Sequence, residues 1–107
     1  MDIQFKKGVL ELCVLSLLDG QDRYGYELAS LLSEKVNISS GTVYPVLRRL
    51  KTDGFVDTYL EESSGGPARK YFKLTISGDE LRLALRKEWL TLKNNISSIV
   101  KEGGDEK

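Results

Sequence analysis

Ser40, Gly41, Thr42, Tyr44, Pro45, Arg48, Arg49 and Lys51 lie within one short stretch, residues 40–51. Their types suit one chemistry, the grip of a polyanion. Arginine can donate two parallel hydrogen bonds to a guanine edge or hold a phosphate. The hydroxyls of Thr42 and Tyr44 can reach phosphates, Gly41 lets a backbone come close, and a helix start presents unpaired amides to an anion. Arg69 and Lys70 form a second basic pair downstream. Little else in the chain is reactive. It has no His and one Cys, so His-dependent catalysis, His-containing metal sites and a zinc cluster are excluded. The carboxylates are scattered and no phosphate-cradling glycine loop exists, so the chain reads as a non-enzyme without metal or cofactor.

These residues need a helix to align them. Ser39, Ser40 or Thr42 can cap its start, and Gly54 ends it after a last turn containing Lys51. At helical spacing Val43, Val46, Leu47 and Leu50 share an arc of about 100°, the face owed to a core. Gly41, Pro45 and Arg48 lie opposite, flanked by Thr42 and Arg49 on one side and Tyr44 and Lys51 on the other. Pro45 is tolerable where amides lack partners anyway, so it is expected in the first turn of a helix starting near Ser40 to Thr42.

The remaining elements follow from periodicity. Apolar residues from Phe5 to Leu18 wrap most of a helix, which should be buried on more than one side. Lys6 and Lys7 before "GVLELCVLSLL" imitate a secretory signal, but Glu11 interrupts the run and no small-residue cleavage site follows. A second helix is expected over roughly Gly25 to Lys35. In "YGYEL" the rings of Tyr24 and Tyr26 are expected to pack that helix against its neighbours, with Gly25 allowing close approach. "FVDTYLEE" and "ARKYFKLT", separated by "SSGGP", read as a β-hairpin. Val56, Thr58 and Leu60 share one of its faces and Phe55, Asp57 and Tyr59 the other. The last helix starts at Thr75 or Ser77, where "SGDE" offers a Ser77/Glu80 capping box, and runs to about Lys101. Its residues Leu85, Trp89, Leu92, Ile96 and Ile99 form a seam that wants a partner helix.

The formal net charge of zero argues neither for nor against a nucleic-acid partner. Residues 37–76, however, carry six Lys/Arg against four Asp/Glu. The lone Cys13 sits in an apolar run, which excludes an internal disulfide and fits a reducing cytosol. A cytoplasmic protein without a membrane segment is the expectation.

Three helices, a hairpin and a final helix give the order of a winged helix-turn-helix. The expected fold is mainly α with a small β-hairpin: a winged helix-turn-helix DNA-binding domain over 1–75, a C-terminal dimerisation helix over 76–102 and a flexible tail over 103–107. In this arrangement the third helix enters the major groove and the hairpin reaches the flanking backbone.

"YGYEL", "GTVYPVLRRLKTDGFV", "GGPARKYFKLT" and the Trp of the last helix together resemble the PadR family of bacterial transcriptional regulators, in its short form with one C-terminal helix. The resemblance implies a cytoplasmic homodimer that represses transcription from a pseudo-palindromic operator and is often released by a small molecule. Position by position, Tyr44, Arg48 and Arg49 match the DNA-contacting helix, and Arg69 and Lys70 the wing. Trp89 matches an aromatic position that lines an effector pocket at the dimer interface of some drug-binding relatives, which implies a small planar or phenolic effector.

Plainer readings stand beside these. Paired arginines are common on solvated helix faces, Arg69 and Lys70 can be solubilising charge near an edge strand, and dimer burial alone accounts for Trp89. The competing function is a winged-helix protein-interaction module without specific DNA binding.

Overall fold

A computed structural model of the protein describes residues 3–104, and the side chains of 8–101. The elements in order are α1 (Ile3–Leu17), β1 (Arg23–Tyr24), α2 (Gly25–Val36), α3 (Ser40–Thr52), β2 (Val56–Glu61), β3 (Arg69–Leu74) and α4 (Ile76–Gly104). Three helices enclose the core. Leu10, Val14, Leu15 and Leu18 meet Leu28, Ala29 and Leu32 of α2 and Val43, Val46, Leu47 and Leu50 of α3, with Val56 and Phe72 closing it from the sheet. Because apolar burial is the main favourable contribution to folding, this cluster fixes the pose of α3. The opposite side of α1 is only half covered: Val9 and Leu12 line a groove shared with α4.

The sheet has one strand more than the sequence suggested. It is antiparallel with order β1-β3-β2, and β1 is a two-residue edge strand pairing Arg23 with Phe72 and Tyr24 with Tyr71. A dipeptide is too short to show a period of two, so the expected hairpin is a three-stranded sheet. Between β2 and β3, Val56 pairs with Leu74, Thr58 with Phe72, Tyr59 with Tyr71 and Glu61 with Arg69. Val56, Thr58 and Phe72 face the core side, while Leu60, on the same face, runs past the core and is exposed.

Three local expectations are corrected. Helix α3 does begin at Ser40, with Ser39 as N-cap, so Pro45 is its sixth residue and lies inside the helix instead of in its first turn. A proline there cannot bond the Gly41 carbonyl, and the position is tolerated on the solvent face near the N-terminus, where that carbonyl is free to meet water. Second, Thr75, not Ser77, caps α4: its Oγ1 accepts the Gly78 N–H at 3.0 Å. Both hydroxyls donate to the Gly54 carbonyl, Thr75 at 2.8 Å and Ser77 at 3.0 Å, but Ser77 is the second residue of the helix. Third, α4 continues through Gly104, so residues 103 and 104 of the expected tail are helical, and 105–107 lie outside the described residues.

The turns behind α3 are tight. Gly54 (φ 83°) closes it with a left-handed residue, and Phe55 N–H reaches back to the Leu50 carbonyl at 2.9 Å. Gly78 is buried against Phe55, and a Cβ there would strike the Phe55 carbonyl. The base of the wing and the start of α4 are thereby locked together.

Candidate nucleic-acid interface

The outward face of α3, the N-terminus of α2 and the sheet enclose an open groove of ≈ 430 Å³. Arg48 and Lys51 stand on the α3 side, Arg69 and Lys70 on the β3 side. All four are exposed, and among the described residues none is paired with a carboxylate. Among the described residues its lining holds no acid. Four like charges around one concavity sum to a positive potential that attracts an anion over several ångströms. Four aromatic rings, Tyr24, Tyr26, Tyr44 and Phe72, also line it, with Gly25, Leu47 and Thr58 between them. Gly25 packs close beneath two of these rings, where a Cβ would stand 3.4 Å from both Phe72 and Tyr44.

The start of α3 belongs to the same surface. Ser40, Gly41, Thr42 and Pro45 are exposed. The N-cap side chain of Ser39 makes no bond to a helix amide; its Oγ faces the Thr42 hydroxyl at 3.1 Å instead.

Arg49 is placed differently from Arg48. It turns toward α1, where its Nη2 donates to Glu11 Oε2 at 2.9 Å, and both side chains are partly buried. It is absent from the groove. Adjacent helical residues point about 100° apart, so the two arginines serve different faces.

The wing is held by an aromatic ladder that the sequence did not reveal. On the outer face of the sheet the Tyr59 and Tyr71 rings stack at 5.6 Å between centroids, Tyr71 meets Tyr24 at 5.8 Å, and Tyr24 stacks on Tyr26 at 6.2 Å. The Arg69 guanidinium lies 4.7 Å from the Tyr24 ring centroid, a cation–π contact. Tyr26, expected to pack α2 against its neighbours, is 66% exposed and stacks on Tyr24. Tyr59 donates to Asp22 Oδ2 at 2.7 Å, and that bond, with minor help from partial desolvation and nearby negative charge, pushes its phenol up to about 12.

The seam of α4 faces outward. Leu85 and Leu92 are half-buried, while Trp89, Ile96 and Ile99 are exposed. With Gly8, Val9 and Leu12 of α1, the residues Leu85, Glu88, Trp89 and Leu92 line a second groove of ≈ 220 Å³. Cys13 is half-buried and its thiol is pushed up by burial. Among the described residues there is no cluster of His, Cys, Asp or Glu able to hold a metal ion, and no helix long and apolar enough to cross a membrane.

Comparison with known proteins agrees with this geometry. A Streptococcus transcriptional regulator of known structure is 36% identical and superposes with a TM-score of 0.81, covering 92% of this chain and 98% of its own. A PadR-like transcriptional regulator from Bacillus cereus gives 32% identity and a TM-score of 0.81 over 92% and 97% of the two chains. An uncharacterised protein of Lysinibacillus sphaericus is 34% identical over 94 residues, 84% of this chain and 86% of that one. The transcriptional regulator PadR-like family profile matches residues 14–83, a span from the core of α1 through the groove to the first turns of α4. The chain belongs to the PadR-like family of transcriptional regulators, with the winged-helix fold and the DNA-binding regulation that membership carries.

Proposed function

We propose that the protein is a cytoplasmic homodimeric repressor that binds a pseudo-palindromic operator. Residues 1–75 are the DNA-binding unit, with α3 in the major groove and the wing on the flanking phosphates. The observation that carries this reading is the convergence of Arg48, Lys51, Arg69 and Lys70, without acidic partners among the described residues, on one groove beside the exposed start of α3. Arg48 is the base reader, Ser40, Gly41, Thr42, Tyr44, Pro45 and Lys51 shape the approach of the helix, and Arg69 and Lys70 hold phosphate. Arg49 supports α3 through Glu11.

Residues 76–102 are the dimerisation helix, with Leu85, Trp89, Leu92, Ile96 and Ile99 sealing against the second subunit. Leaving Ile96 at 45% and Ile99 at 71% exposure in water is unfavourable, and a partner helix relieves it. The dimer then sets two α3 helices about one DNA turn, roughly 34 Å, apart. A small planar or phenolic effector entering beside Trp89 releases the operator by binding the DNA-incompetent spacing more tightly. Alanine substitutions test the assignment by fluorescence anisotropy on labelled duplex. Arg48→Ala should reduce discrimination between operator and scrambled duplex, and Lys70→Ala should weaken both equally and flatten the salt dependence. Loss from neither variant would move the DNA face elsewhere.

A further inference from the structure

Arg69 opens β3 close to the wing tip, where a long exposed side chain would ordinarily sample many rotamers. Here it does not project freely. Tyr24 pairs with Tyr71 in register, so Arg69, two residues before Tyr71 on the same strand face, is its diagonal neighbour. Its guanidinium rests 4.7 Å from the Tyr24 ring centroid.

The ring is itself fixed from several directions. Tyr71 supports it at 5.8 Å and is backed in turn by Tyr59, whose hydroxyl is anchored on Asp22. Arg23, the other residue of β1, donates from Nε to the Leu17 carbonyl at 2.7 Å and pairs with Glu27 at 2.8 Å. This two-residue strand is therefore pinned to α1, α2 and β3 at once. So much fixing around a single half-buried tyrosine is more than a dipeptide strand requires.

We infer that Tyr24 is a positioning residue for DNA binding: its ring holds the Arg69 guanidinium in the orientation that grips a backbone phosphate, without touching DNA itself. The inference rests on the assignment of Arg69 to phosphate made above. A stacked guanidinium keeps its N–H edge free, because the face meets the ring while the donors point outward in the plane. Ordering the side chain before DNA arrives removes part of the entropy cost of binding, so the gain appears as affinity for every sequence.

The experiment is a double-mutant cycle on the full-length protein, read by anisotropy on operator and scrambled duplex across a salt series. Tyr24→Phe keeps the ring and should bind as the parent does. Tyr24→Leu should weaken both duplexes by about 3- to 10-fold and lower the salt slope toward that of Arg69→Ala, which should itself fall by about 0.9. The double variant should be no weaker than Arg69→Ala alone. If Tyr24→Leu binds as the parent does while Arg69→Ala weakens, the positioning role is wrong and the DNA assignment stands. Additive losses would equally overturn it, since Tyr24 would then act by another route. If Arg69→Ala changes nothing while Arg48→Ala abolishes binding, the wing assignment fails and takes the inference with it. Should Tyr24→Leu not fold by circular dichroism, Arg69→Lys decides. It keeps the charge but not the flat stack, so it should bind nearly as weakly as Arg69→Ala; parental affinity would contradict the inference.

Discussion

Arg49 Nη2 and Glu11 Oε2 lie 2.9 Å apart, tying α3 to α1 by a partly buried ion pair. The neighbouring Arg48 lines the open groove and, among the described residues, has no acidic partner. One pair of adjacent arginines thus divides between an open groove and an ion pair.

This division predicts opposite phenotypes. Arg48→Ala should cost about 1–3 kcal/mol of operator binding with little change in the urea midpoint. Arg49→Ala should cost about 0.5–1 kcal/mol of folding stability and leave base discrimination intact. Glu11→Gln should resemble Arg49→Ala in stability, and the two together should be non-additive. Anisotropy and urea titration separate the outcomes.

At Gly78 the substitution to Ala should destabilise the fold by about 3 kcal/mol, since a Cβ there collides with the Phe55 carbonyl and the backbone must shift. The urea midpoint measures it. Gly41→Ala, by contrast, meets nothing nearer than the Ser39 Oγ at 3.9 Å and should leave stability unchanged or slightly raised.

In alkaline titration the phenol of Tyr59 should ionise late, near pH 12. Its neutral form is favoured in the folded protein by the hydrogen bond to Asp22. The linked stability is fully present below the unfolded value of about 10 and is lost as pH rises from there through 12. Absorbance near 295 nm follows the phenolate. Both Tyr59→Phe and Asp22→Asn should remove the late phase.

In the seam, Leu92→Asp places a carboxylate where the proposed partner helix packs, and burial of an unpaired charge is prohibitive. Light scattering should then give the mass of one chain, where the unaltered protein gives two. Persistence of the dimer would place the interface off this face.

How legible these features were in the sequence depended on the range of the interactions behind them. The apolar face of α3 (Val43, Val46, Leu47, Leu50) was readable because helical periodicity is local, and Gly54 announced its stop. Strand β1 was not readable, because Arg23 and Tyr24 become a strand only by pairing with Phe72 and Tyr71, far along the chain. The aromatic ladder depends on that same pairing. Nothing near Arg49 in sequence reveals Glu11, which is 38 residues away, so two arginines with one local context parted company only in three dimensions. Ser77 satisfied a capping pattern, yet α4 begins at Ile76, so Thr75 stands at the N-cap position and Ser77 is already inside the first turn.

The most direct test of the central claim is titration of the purified full-length protein against duplex from its own upstream region, with scrambled duplex as control, at two salt concentrations. Tight binding that prefers the upstream duplex, weakens as salt rises, and loses that preference in Arg48→Ala is the predicted result. Equal or absent binding to both duplexes at low salt, with Arg48→Ala indistinguishable from the parent, would contradict it.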